Sequence, residues 1–171
     1  MTTSIPRASA ILAGLALILL PLVAVAVKTI AYPGWMLVVM IYYSPILLIG
    51  YATQIVVAAN GLLRERGVLR TGSAGRRPVI AAWLTSVAVV ATAFFLVDGG
   101  DDGRYGSVFT ELMGTSSTAA GESASMAVLT PLALLWVGGW LWLVTEWIVQ
   151  LVLARRVRER FRLNSERGLD F

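Results

Sequence analysis

The sequence contains no cysteine and no histidine, and only one of its 14 basic residues, Lys28, is a lysine. Without thiols there are no disulfides, thiolate nucleophiles or zinc–thiolate sites. Without imidazole there is no His-ligated haem, no Ser-His-Asp chemistry and no histidine proton relay. Charge is scarce too. Asp, Glu, Lys and Arg make up 14% of the 171 residues, where a soluble domain carries about a quarter. Apolar residues take their place at 57% of the chain, giving a mean hydropathy of +0.76. Such a chain is too apolar for water to be its main solvent. The formal charge of +4 has to be located before it is read as affinity for nucleic acid.

A membrane-crossing helix needs about 20 apolar residues, because it rises ~1.5 Å per residue through a hydrocarbon core of ~30 Å. Residues 8–27, 35–59, 79–97 and 127–153 meet that requirement. Between the first two lies Tyr32-Pro33-Gly34. Proline fixes φ and glycine accepts positive φ, so this tripeptide predicts a tight turn and an antiparallel hairpin. Pro78 opens the third stretch, where its missing N–H costs little. Pro45, after Tyr42-Tyr43-Ser44, is expected to kink the second span. The expected fold is all-α: a polytopic membrane protein, one integral membrane domain over 1–171, built as a four-transmembrane-helix bundle of two antiparallel hairpins.

The charged residues lie between these stretches. The 60–78 loop holds Arg64, Arg66, Arg70, Arg76 and Arg77 against Glu65, and includes the flexible run Thr71-Gly72-Ser73-Ala74-Gly75. The 98–126 loop holds Asp98, Asp101, Asp102, Glu111 and Glu122 against Arg104. The 154–171 tail carries six arginines against Glu159, Glu166 and Asp170. The positive-inside bias then assigns both termini and the 60–78 loop to the cytoplasm and the acidic loop to the outside. The basic balance is thus a transmembrane asymmetry, and no nucleic-acid partner is expected. Arginine outnumbers lysine 13 to 1 amid abundant Ala, Gly and Val. That bias suggests a GC-rich bacterial genome, and hence a bacterial cytoplasmic (inner) membrane. Arg7, the apolar run and Ala24-Val25-Ala26 also fit a secretory signal with a small-residue cleavage site. Against that alternative, the run of about 20 residues exceeds the usual 7–15 of a signal and is long enough to span.

An ionisable residue near the bilayer centre costs at least ~2.5 kcal/mol, which makes it a candidate functional residue. Glu146 stands nine residues before Arg155, hence ~13 Å inside that edge. The same ruler puts Gln54, ten residues before Arg64, and Thr85, eight after Arg77, in one layer with it. Gly139, Trp142, Glu146 and Gln150 share a helix face. The candidate intramembrane polar site is therefore Glu146, Gln54, Gln150 and Thr85. It either binds a cation or proton, or uses a protonated Glu146 to cross-link spans or a partner subunit. Lys28, at an outer span end, is expected to snorkel.

Trp136, Trp140 and Trp147 form a second stripe, which serves either internal or lipid-facing packing or partner docking. The run Asp98-Gly99-Gly100-Asp101-Asp102-Gly103 fails the EF-hand pattern, with Gly100 at position 3 and Phe109 at position 12, and reads as a solvated turn. Residues 114–125 are small and polar and are expected to be mobile unless a partner orders them. In the tail, Leu153, Val157 and Phe161 form a stripe flanked by Arg155, Arg156, Arg158, Arg160 and Arg162, candidate contacts for anionic lipid head groups. No phosphate loop, metal cluster, carboxylate pair or nucleophile set is present, so neither an enzyme nor a cofactor is expected. The leading function is a non-catalytic accessory or assembly subunit of a larger membrane complex, with a membrane-protein partner or a homo-oligomer. The alternative is a small oligomeric ion- or proton-coupled transporter or channel using Glu146, and a lipid-acting enzyme ranks third.

Overall fold

A computed structural model describes residues 6–71, 75–101 and 103–167. Residues 72–74 of the Gly/Ser run, Asp102 and the Phe161 side chain lie outside the described set. The described chain is almost wholly helical: α1 (Arg7–Ala31), α2 (Trp35–Tyr42), α3 (Ser44–Val57) continuing into a π-helical turn (Ala58–Leu63), α4 (Val68–Thr71), α5 (Arg77–Phe95), α6 (Val108–Leu112) and α7 (Ala119–Arg167). A two-residue ladder, β1 (Asp98–Gly99) against β2 (Tyr105–Gly106), follows α5. Four helices are long and apolar enough to cross a membrane: Arg7–Ala31, Ser44–Leu63, Arg77–Phe95 and Ala119–Arg160.

The second of these starts later than the 35–59 stretch suggests, because the helix breaks at Tyr43, with φ −89° and ψ 8°. Pro45 has no N–H to give the Ile41 carbonyl, so an α-helix cannot run through this point unbroken. Helix α2, beyond the break, has no buried residue.

Helix α5 packs along both α1 and α7. The Lys28 ammonium donates to the Leu96 carbonyl at 3.1 Å, so α1 and α5 end side by side and run parallel. A Cβ on Gly14 would come within 2.7 Å of the Leu63 side chain, so the π-helical turn lies against the first half of α1. At this end Ala10, Ala13, Leu17, Val57, Ala58, Leu62, Leu69, Val79, Ala82 and Leu143 form the main core. Four of these ten are alanines, which let the helix backbones approach closely. A smaller cluster, Ala24, Val89 and Ala93 with Trp136 against it, lies toward the other end.

Two segments are more ordered than their composition suggests. The expectation of a mobile 114–125 segment does not hold for residues 119–125, because α7 begins at Ala119. Thr118 caps it by accepting from the Gly121 N–H at 3.1 Å, the N-cap geometry that satisfies a free helix donor. Upstream, Ser107 and Thr110 form a reciprocal capping box on α6. The Ser107 hydroxyl also bonds that of Ser125 at 2.8 Å, both fully buried, which ties the connection to α7. Helix α7 then continues for 49 residues, about 73 Å at ideal rise.

Candidate functional site

Gln54 is buried, and its amide donates to the Leu17 carbonyl at 2.6 Å. That carbonyl lacks a donor for a local reason. Its helical partner would be the N–H of residue 21, and residue 21 is proline. One turn away on α3, the Tyr51 hydroxyl donates to the neighbouring Ile18 carbonyl at 2.7 Å. Gln54 and Tyr51 therefore brace the opened ladder of α1, the arrangement that makes proline tolerable in a membrane helix. One of the two amide N–H donors of Gln54 is thus committed to α1.

Glu146 is half-buried and accepts from the Gln150 amide at 2.8 Å, one turn along the same helix. The structure brings these two candidates together and separates them from Thr85. A Cβ on Gly139 would fall 2.3 Å from the Thr85 hydroxyl, so Thr85 lies opposite Gly139, seven residues before Glu146. Because α5 and α7 are antiparallel, Glu146 stands near the start of α5, about 10 Å along the axis from Thr85. The expected single layer fails because Arg155 does not mark the level at which α5 begins. Helix α7 overshoots that level, and counting inward from its first tail arginine displaces Glu146. The Thr85, Ser86 and Thr92 hydroxyls and the Trp147 indole N–H are buried without a hydrogen-bond partner among the described residues.

The charged group that sequence reasoning missed is at the other end. Lys28 does not snorkel. It is 2% exposed and pairs with Asp98 at 3.2 Å, itself 4% exposed at the side chain. The ammonium also bonds the Leu96 carbonyl and lies over the Tyr32 ring, 5.3 Å from its centroid. Asp98 in turn accepts from the Met36 N–H at 3.0 and 3.2 Å and from its own neighbour Gly99 at 2.9 Å. A carboxylate at the first turn of α2 complements the positive helix end. One ion pair thus ties the ends of α1 and α5 to the start of α2. Gly34 is required here, since any Cβ would sit 2.6 Å from the Asp98 carboxyl carbon. Asp98 is consequently not part of a solvated turn. The available signal was the presence of opposite charges at the ends of spans one and three.

Of the tryptophan stripe, Trp136 packs against the smaller cluster and Trp147 against the main core, while Trp140 is half-buried. Arg155, Arg156, Arg158, Arg160 and Arg162 are all exposed on α7. Among the described residues no three acidic side chains gather as a metal site would need. No family model, curated protein or solved structure matches the chain. The function therefore has to be argued from the site itself. Next to the ion pair, an open cleft of about 650 Å³ is lined by Tyr32, Arg104, Glu111 and Ser116. Its Glu111 already accepts from the Ser116 hydroxyl at 2.8 Å.

Proposed function

We propose that the protein is a multi-pass component of a bacterial cytoplasmic membrane, two antiparallel hairpins in a four-span bundle with both termini cytoplasmic. In this reading it is a non-catalytic accessory or assembly subunit of a larger membrane complex. The exposure of α7 carries the role. Only 11% of its most apolar stretch is buried, against 44% for α5, although α7 is the longest helix in the chain. Its outward face carries Gly138, around which an added Cβ would meet nothing within 4 Å. In lipid, helices associate by close backbone approach and packing rather than by hydrophobic gain. A long apolar face with a glycine notch suits a second membrane protein.

The polar groups support the same reading. Gln54 and Tyr51 brace the proline site of α1, and Gln150 holds Glu146. Glu146 near the start of α5 favours a local structural role over a coupling residue at mid-membrane. The start of α1 and the basic 60–78 loop share one end of the bundle, joined by the Arg7–Glu65 pair at 2.9 Å, and the positive-inside rule makes that end cytoplasmic. Helix α1 contributes the fully buried Ala10, Ala13 and Leu17, which supports its retention as a span rather than its removal as a signal.

Proton and cation flux into proteoliposomes tests the role. The purified protein is expected to give no flux above empty vesicles, with Glu146→Gln indistinguishable from wild type. Ion- or pH-dependent flux that Glu146→Gln abolishes would transfer the assignment to the transporter reading.

A further inference from the structure

Helix α7 outruns the bundle it belongs to. Its register against the preceding chain is fixed by Ser125 on Ser107, Gly139 against Thr85, and Leu143, Val144 and Trp147 in one cluster with Val79 and Ala82. Continuing that antiparallel register brings Trp147 level with the start of α5 at Arg77. Helix α5 has 19 residues, about 28 Å, which matches the hydrocarbon core and leaves little room for tilt. Beyond Trp147, α7 runs on to Arg167, about 30 Å further.

One side of its first two turns is covered, with Gln150 7% exposed and Leu151 and Ala154 half-buried. The other side is apolar and open. Ile148, Val149, Val152, Leu153 and Val157 are 42–52% exposed. Val149, Leu153 and Val157 follow i, i+4, i+8 spacing with Ile148 and Val152 beside them, the anchor pattern of helix-mediated recognition. Around and beyond the stripe, among the described side chains, Arg155, Arg156, Arg158, Arg160 and Arg162 stand with Glu159.

Three occupants compete for this face. The head-group layer extends only about 5–7 Å past the core and takes in Ile148 and Val149, whereas Leu153 and Val157 stand about 9 and 15 Å past Trp147. A second copy would bring arginines against arginines, and like charges across an interface are costly. An acidic segment with its own apolar face satisfies both the stripe and the charge. We propose that the extension of α7 past Trp147 is a docking surface for an acidic amphipathic helix from a cytoplasmic protein segment. This rests on the assembly-subunit reading and on the basic end being cytoplasmic.

The test uses the full-length protein in phosphatidylcholine nanodiscs and a fluorescein-labelled synthetic helix with leucines along one face and glutamates on its flanks. Saturable binding is expected. It should weaken on the order of tenfold or more in Leu153→Ser/Val157→Ser, which removes apolar anchors without changing charge. It should also weaken as salt rises, and a lysine-flanked peptide should not bind. Equal binding by the Ser variant overturns the proposal. So does quenching of a fluorophore at Val157→Cys by bilayer-embedded lipid labels, which would lay the stripe on the membrane. A stable dimer through the extension, lost in the Ser variant, overturns it in favour of a second copy. Each of these leaves an in-membrane partner on α7 untouched, so the docking proposal fails separately from the subunit reading.

Discussion

Restoring a backbone donor at residue 21 should make Gln54 dispensable. In the native protein the Leu17 carbonyl depends on the Gln54 amide, at 2.6 Å and with both residues buried. Gln54→Leu keeps the volume and orphans the carbonyl. An unsatisfied buried acceptor costs about 1–3 kcal/mol, while hydrogen bonds between membrane helices average ~0.6 and reach ~1.7 kcal/mol. The short bond and full burial favour the upper part of that overlap, about 1.5 kcal/mol. In a Pro21→Ala background the new N–H reaches Leu17 along the helix, and the same substitution should cost less than about 0.5 kcal/mol. Tyr51→Phe is the internal control. Ile18 keeps the Leu22 N–H as a helical donor, so the loss should be smaller and insensitive to residue 21. The assay is equilibrium unfolding in mixed micelles by SDS, followed by the fluorescence of the six tryptophans. Equal costs of Gln54→Leu in both backgrounds, within about 0.5 kcal/mol, would refute the bracing argument.

The Lys28–Asp98 pair predicts non-additivity in the same unfolding assay. Asp98→Leu alone should cost about 3–5 kcal/mol by stranding a buried ammonium, and Lys28→Met/Asp98→Leu should recover part of that loss. Lys28→Met should be the milder single change, because Asp98 keeps its bonds from Met36 and Gly99. Adjacent glycines on α7 should diverge. Gly139→Ala drives a methyl into the Thr85 hydroxyl at 2.3 Å and should cost about 1–3 kcal/mol, with Thr85→Ala restoring stability. Gly138→Ala meets nothing and should stabilise by up to about 1 kcal/mol through helix propensity. Both are read from unfolding midpoints.

Apolar length alone made the four helices legible, and Pro45 marked a break that the backbone contains; Pro33-Gly34 marked the end of α1, but Gly34 is extended at φ −163° and does not form the positive-φ tight turn expected there. Gln54 was visible as a polar residue at depth, but its purpose depends on a proline in another helix. Only the i−4 rule at Pro21, combined with the depth of Gln54, could have joined them. Glu146 was misplaced because the tail arginines mark no boundary when a helix continues through them. Lys28 and Asp98 were both placed at outer span ends but treated as separate solvated charges, because nothing across their separation of 70 residues says that spans one and three pack side by side there. The ordered start of α7 follows from Thr118 as a cap ahead of alanines, a signal outweighed by the small-residue composition around it.

The subunit assignment is tested most directly by recovering the affinity-tagged full-length protein from its own membrane in mild detergent. The account predicts a stoichiometric membrane-protein partner that is retained by wild type and lost when Gly138→Phe fills the notch on the exposed face of α7. Recovery of a monomer or clean homo-oligomer with no such partner would contradict it.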